Sequence, residues 1–177
     1  MTAELKMKKN LLLLLIPLVL FSCKQNRRAM LTKTWHATNL ESKEMDSILT
    51  QGQKFIDTVG KNTDSVTNVA TYGTANMDSL KHELQLQLDS VKMMQAESVT
   101  STVFQFRKDS VAVLAFQGRT DSMKWQIEVD TITLSPLNGI GTLEEVRMEI
   151  ISLADTSMKL KFRENGASSI VTFHPEK

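Results

Sequence analysis

From Ser98 onward the spacing of the apolar residues switches to a period of two. Met123, Trp125, Ile127 and Val129 alternate with Lys124, Gln126, Glu128 and Asp130. Val146, Met148 and Ile150 alternate with Arg147 and Glu149. Met158, Leu160 and Phe162 alternate with Lys159, Lys161 and Arg163. Successive side chains of a strand point to opposite faces, so these runs are antiparallel strands with one dry and one wet face. Turn-forming residues separate them at Gly118 through Asp121, Pro136 through Gly141, and Glu164-Asn165-Gly166. The pattern predicts strands at 99–107, 110–117, 122–129, 131–135, 143–153, 156–163 and 168–174. Residues 30–40, rich in Thr and containing Trp35, suit a half-buried pleated surface and add a first strand. Eight short strands in an up-and-down order can close into a small barrel, which removes exposed edges.

The texture between these strands is different. From Glu41 to Glu97 there is no proline, and the apolar spacing turns helical. Met45, Ile48, Leu49, Phe55, Ile56 and Val59 form one stripe, interrupted by Gly52. Ser42 is placed to cap that helix and Gly60 to end it. A second stripe runs through Met77, Leu80, Leu84, Leu88 and Val91, with Leu86 and Met93 on the opposite face. The polar stretch 62–76 keeps the period through Val66 and Val69 and reads as an extension of the second helix.

The N-terminus carries a different signal. Lys6-Met7-Lys8-Lys9-Asn10 precedes the eleven-residue, mostly apolar run Leu11–Phe21, then Ser22 and Cys23. A basic segment, an apolar stretch and a small residue follow one another as in a secretory signal. Eleven residues are too few to cross a bilayer core of about 30 Å as a helix. Leu20-Phe21-Ser22-Cys23 resembles a bacterial lipobox, in which the cysteine is acylated and becomes the new N-terminus. This implies a signal peptide over 1–22, lipidation at Cys23, a tether over 23–29 and one domain over 30–177 with the insertion 41–97. Residues 1–22 carry Lys6, Lys8, Lys9 and Glu4, so their removal takes the formal charge from +1 to −1. A near-neutral chain lacks the phosphate-neutralising excess that nucleic acid binding requires. The basic cluster Lys24, Arg27, Arg28 and Lys33 reads as a solvated tether or as attraction to anionic headgroups. With Cys23 the sole cysteine, internal disulfides and cysteine metal clusters are excluded.

The lipobox at Cys23, Leu31-Thr32-Lys33-Thr34-Trp35 opening the first strand, and the closely spaced hairpins ending in Gly166-Ala167-Ser168-Ser169-Ile170-Val171-Thr172-Phe173 resemble lipocalin-like lipoproteins of the Bacteroidota. The resemblance covers 30–40 and 98–174. Typical lipocalins have glycine where Lys33 stands and an arginine near the end of the last strand, where this chain has His174. The likeness is therefore to a loose lipocalin-like architecture. It implies an α+β fold: an eight-stranded antiparallel lipocalin-like β-barrel with a helical insertion after the first strand. It also implies a membrane attachment through the N-terminal lipid at the outer membrane. The basic stretch after Cys23 contains no acid, which in this group points to a periplasm-facing position.

No catalytic constellation is visible, and the chain is not expected to be an enzyme. His36, His82 and His174 lie in three separate elements, none with a second ligand at helical or strand spacing. No phosphate-binding glycine loop or nucleophile elbow occurs, and no cofactor or metal is expected. Trp35, Phe104, Phe106, Phe116, Trp125, Met148 and Phe162 are spread over the barrel strands. Methionine and aromatic side chains suit an adaptable apolar pocket, so Trp35, Phe104, Phe106, Trp125, Met148 and Phe162 are pocket candidates. The alternative is a barrel packed solid.

All nine aspartates are followed by Ser or Thr, and eight of these pairs by an aliphatic residue or methionine. The eight resemble the Asp-Ser/Thr-aliphatic acceptor of O-glycosylation in exported Bacteroidota proteins, with acceptors Ser47, Thr58, Ser65, Ser79, Ser90, Ser110, Ser122 and Thr131. The alternative is structural, since Asp and Ser cap helices and open turns. Two functions follow from these readings. One is binding of a small apolar ligand in the barrel. The other is contact between the helical hairpin and an envelope protein.

Overall fold

The computed structural model describes residues 27–137, 145–164 and 166–177. Among them the sequence expectation of an α+β fold holds. Eight antiparallel strands form a closed barrel in chain order, and the helices lie between the first strand and the second. The expected signal peptide, Cys23 and the start of the expected tether lie outside the described residues. So does most of the expected turn at 136–141.

Strand β1 (Thr34–Ser42) leads into helix α1 (Lys43–Thr58). Ser42 caps α1, its hydroxyl accepting from the Met45 N–H at 3.3 Å. The helix ends at Val59, and Gly60 follows in the left-handed region at φ 71°. A Cβ at Gly60 would meet Met77 Cγ at 2.5 Å, so both the backbone and the close approach require glycine. Gly52, which interrupts the apolar stripe, is where Leu88 lies against α1: an added Cβ would stand 3.1 Å from Leu88 Cδ1. The gap in the stripe is thus a site of helix–helix contact.

The stretch 62–76 is a correction to the sequence reading. It forms a separate helix, α2 (Ser65–Tyr72), and does not extend the next one. Asp64 caps it, accepting from the Thr67 N–H at 2.8 Å, and that bond holds the carboxyl below its ordinary range. Helix α3 (Met77–Thr100) has its own cap, Asn76, which accepts from the Ser79 N–H at 3.0 Å. Two capping side chains in succession separate what periodicity alone would join. Gln53 donates to Gln85 Oε1 at 3.2 Å and ties α1 to α3.

Helix α3 also runs further than expected, into the start of the predicted strand 99–107. Thr102 closes the helix end, its hydroxyl donating to Ser98 O at 2.7 Å, and Val99 packs on the barrel core from the last turn. Strand β2 (Val103–Phe106) is correspondingly short. Strands β3 (Val111–Phe116) and β4 (Arg119–Glu128) are joined by Gln117 and Gly118 alone. Both have positive φ, 48° and 76°, the twist that suits a tight hairpin. Thr120 and Asp121, expected in a turn, are instead paired with Ala115 and Leu114. Strands β5 (Thr131–Pro136), β6 (Val146–Leu153), β7 (Met158–Glu164) and β8 (Ala167–Pro175) complete the order, close to their expected positions. The barrel closes where β8 pairs with β1, from Trp35↔Pro175 to Ser42↔Ser169, with a register shift between Ala37 and Asn39.

Candidate functional site

The barrel has two unlike ends. At one end lie the turns 107–110, 129–130 and 154–157, and residues 27–33 lead across them into β1. This is the base. At the other end lie the tight turn 117–118, Gly166 and the three helices. This is the mouth.

The base is sealed by packing. Residues 27–31 form a helical turn whose Leu31 is fully buried. Trp35 is fully buried too, and its Nε1–H donates to Leu31 O at 3.0 Å, so the first tryptophan locks the incoming chain. Arg28 lies 4.3 Å from the Trp125 ring centroid and donates to Ser110 Oγ at 2.7 Å. Trp125 Nε1–H donates to Arg107 O at 3.0 Å. Phe106 meets Trp125 edge-on at 5.3 Å, and Phe104 stands 5.0 Å from Phe173. Edge-on and offset rings at these distances attract one another beyond the area they bury.

Directly paired residues of an antiparallel sheet share a face, so the inward side of each strand can be followed from base to mouth. On β3 the inward series is Ala112, Leu114, Phe116: buried, half-buried, then 48% exposed. On β4 it runs upward from buried Trp125 and Met123 to exposed Asp121 and Arg119. On β6 buried Ile150 and Met148 give way to Val146 at 40% exposure, the partner of buried Leu134. On β7 buried Met158 and Leu160 lead to half-buried Phe162. Inward-parity side chains are thus buried toward the base and more exposed toward the mouth.

The six pocket candidates divide accordingly. Trp35, Phe104, Phe106, Trp125 and Met148 are buried in the barrel core. Phe162 alone reaches the accessible half, 6.3 Å from the Phe104 ring. Leu114, Arg119, Asp121 and Val146 share the mouth with it and were missed by sequence reasoning. The signal lay in the glycine turn: inward-parity residues beside Gly118 sit on the rim. The side chains of Arg119 and Asp121 make no ion pair or hydrogen bond among the described residues. Among the described residues the mouth end therefore carries Leu114, Phe116, Val146 and Phe162 beside the charged Arg119 and Asp121.

The outer face of the barrel is charged. Lys124, Glu128, Arg147, Glu149, Lys159 and Lys161 alternate with the buried residues, and Glu149 pairs with Lys161 at 3.7 Å. A membrane-spanning barrel needs an outward apolar band, which these strands do not present. The helices are less polar outside: Ile48, Phe55, Leu86, Met93 and Met94 are exposed.

Of the eight Asp-Ser/Thr acceptors, Ser47, Thr58, Ser65, Ser79, Ser90 and Ser122 are exposed, and Ser110 and Thr131 are half-buried. Local structure accounts for some of the aspartates. Asp64 caps a helix and Asp109 accepts from the Val111 N–H in a turn. Asp57 and Asp89 sit within helices, away from their N-caps, and Asp121 within a strand. The Asp89 carboxyl is held below its ordinary range by its bond from Lys92 and a second from Gln85.

No family model, no curated protein and no solved structure matches the chain.

Proposed function

We propose that the chain is a lipid-anchored envelope protein, attached through Cys23 and facing the periplasm from the outer membrane, that binds a small apolar ligand at the barrel mouth. The ligand reading is carried by one observation: inward-facing side chains pass from fully buried at the base to exposed at Phe116 and Val146. An apolar wall with a few polar groups at the mouth of a barrel is a common form of ligand site. The hydrophobic probe N-phenylnaphthylamine tests it. Saturable binding that is lost in Phe116→Asp, with thermal stability kept, is the expected result. Non-saturable binding, or binding unchanged in that variant, would overturn the reading. The anchor has its own test: Cys23→Ala should leave the protein unprocessed or released from membranes. Processing of that variant together with continued extraction only by detergent would refute it.

The exposed Asp-Ser/Thr pairs are the acceptors that O-glycosylation would reach, five of the six on the helices. A sugar coat there would solubilise the less polar side of the molecule. A second reading rests on the exposed Leu86, Met93 and Met94 of α3. An apolar helix face of this kind suits a protein partner with an apolar surface of its own. Loss of co-purification from envelope extract in Leu86→Asp, with probe binding intact, would favour it over ligand binding.

A further inference from the structure

The base of the barrel is clamped to the chain that carries the anchor. Arg27 donates to Val129 O at 2.9 Å and pairs with Asp130, which fixes it to the turn 129–130. Arg28 bonds Ser110 in the turn 107–110. Lys33 donates to Asp155 O at 3.1 Å in the turn 154–157. Three turns of the base therefore hold residues 27–33. Only Lys24, Gln25 and Asn26 separate Cys23 from Arg27. Four Cα steps span at most about 14 Å. The nine residues of β1, tilted as in small barrels, place the mouth about 20 Å further along the axis.

The same end carries an apolar side chain in an unusual place. Val129 is 82% exposed at the tip of its turn, with φ 52°. A β-branched residue rarely adopts that left-handed backbone, and a tight turn there favours glycine. Beside it, Arg107 is paired with Asp109, and Lys108 is exposed without a partner among the described residues.

We propose that the base, with Val129 and Lys108 at its tip, rests on the lipid bilayer, so that the mouth and helices face away from the membrane. The inference rests on lipidation of Cys23 as read above. Its cause is chain length and clamping, with an exposed valine for the interface and a lysine at headgroup depth. Arg27, Lys33 and Arg107 are each paired to a carboxylate, which leaves Arg28, held by Ser110, and Lys108 as base cations without one among the described residues.

Lysine acetylation read by mass spectrometry tests it. The lipidated protein is placed in vesicles of phosphatidylethanolamine and phosphatidylglycerol and compared with the soluble Cys23→Ser form. Lys108 should react several-fold more slowly on vesicles, while Lys54 and Lys61 in and beside α1, and Lys124 on the barrel wall, react equally in both. Unchanged reactivity at Lys108, or equal protection of Lys124 or Lys54, would overturn the proposal. Should the mass at Cys23 show no acyl group, the anchor reading itself fails. The chain beginning at Cys23, coupled there by maleimide to phosphatidylethanolamine, then gives the same footprint and still decides whether the clamp orients the barrel.

Discussion

Two phenylalanines at opposite ends of the barrel should behave in opposite ways. Phe106 is 1% exposed and lies against Phe104 at 6.3 Å and Trp125 at 5.3 Å. Truncation to alanine removes its buried area and leaves a cavity between rings that their own neighbours hold in place. Such substitutions cost roughly 3–5 kcal/mol. For a chain of this size that lowers the melting temperature by roughly 6–20 °C. Phe116 is half out of water on the rim, so its truncation forfeits only part of a transfer term and opens no closed cavity. About 1 kcal/mol is expected. Urea unfolding followed by tryptophan fluorescence suits the comparison, since Trp35 and Trp125 both lie in the base. Probe binding should show the reverse order, weak in Phe116→Ala and retained by whatever fraction of Phe106→Ala stays folded. Stability losses within 1 kcal/mol of each other would refute the division into a packed base and an exposed rim.

Val129→Gly should raise stability by roughly 1 kcal/mol, because strain at a left-handed β-branched residue exceeds the entropy glycine brings; a lower urea midpoint would contradict the strain at φ 52°. Gly52→Ala should be nearly neutral, since the Leu88 methyl that it meets at 3.1 Å is the free end of a side chain. Gly52→Leu should instead push α1 from α3 and speed amide exchange over 43–58; equal exchange in both variants would count against the contact. The Asp64 carboxyl is depressed by its cap to the Thr67 N–H, so its contribution is present above the unfolded carboxylate pKa of about 3.9 and is lost as pH falls through the folded value. Amide exchange in α2 should rise below that pH in the native protein, whereas Asp64→Asn should remove the dependence while keeping a cap.

Much of this fold was legible because period two survives tertiary context. Lys124-Trp125-Gln126-Ile127 can bury one face in only one register, and that register fixes the neighbouring strands. The boundaries were less legible where two elements share a residue type. Val99 fits a strand by propensity, yet it packs on the core from the last turn of α3. The stretch 62–76 kept a helical period, but capping by Asp64 and Asn76 broke it in two. The mouth was least legible. Inward parity alone places Trp35 and Phe116 in one class, and only depth along the barrel separates a buried tryptophan from an exposed rim residue. Depth depends on where each strand ends, and at β4 that end moved when Thr120 and Asp121 proved to be paired.

The closing pair of the barrel has a consequence for how the chain must be made. Each strand pairs with its successor, but β1 also pairs with β8, the last element of the chain. Until β8 has emerged, β1 and β7 each keep an open edge, and Ala37 and Met158 lack Phe173 as their cross-strand partner. A chain made N-terminus first would thus stay unclosed until β8 has emerged. Premature truncation before Ala167 would leave two edges free to pair with other chains.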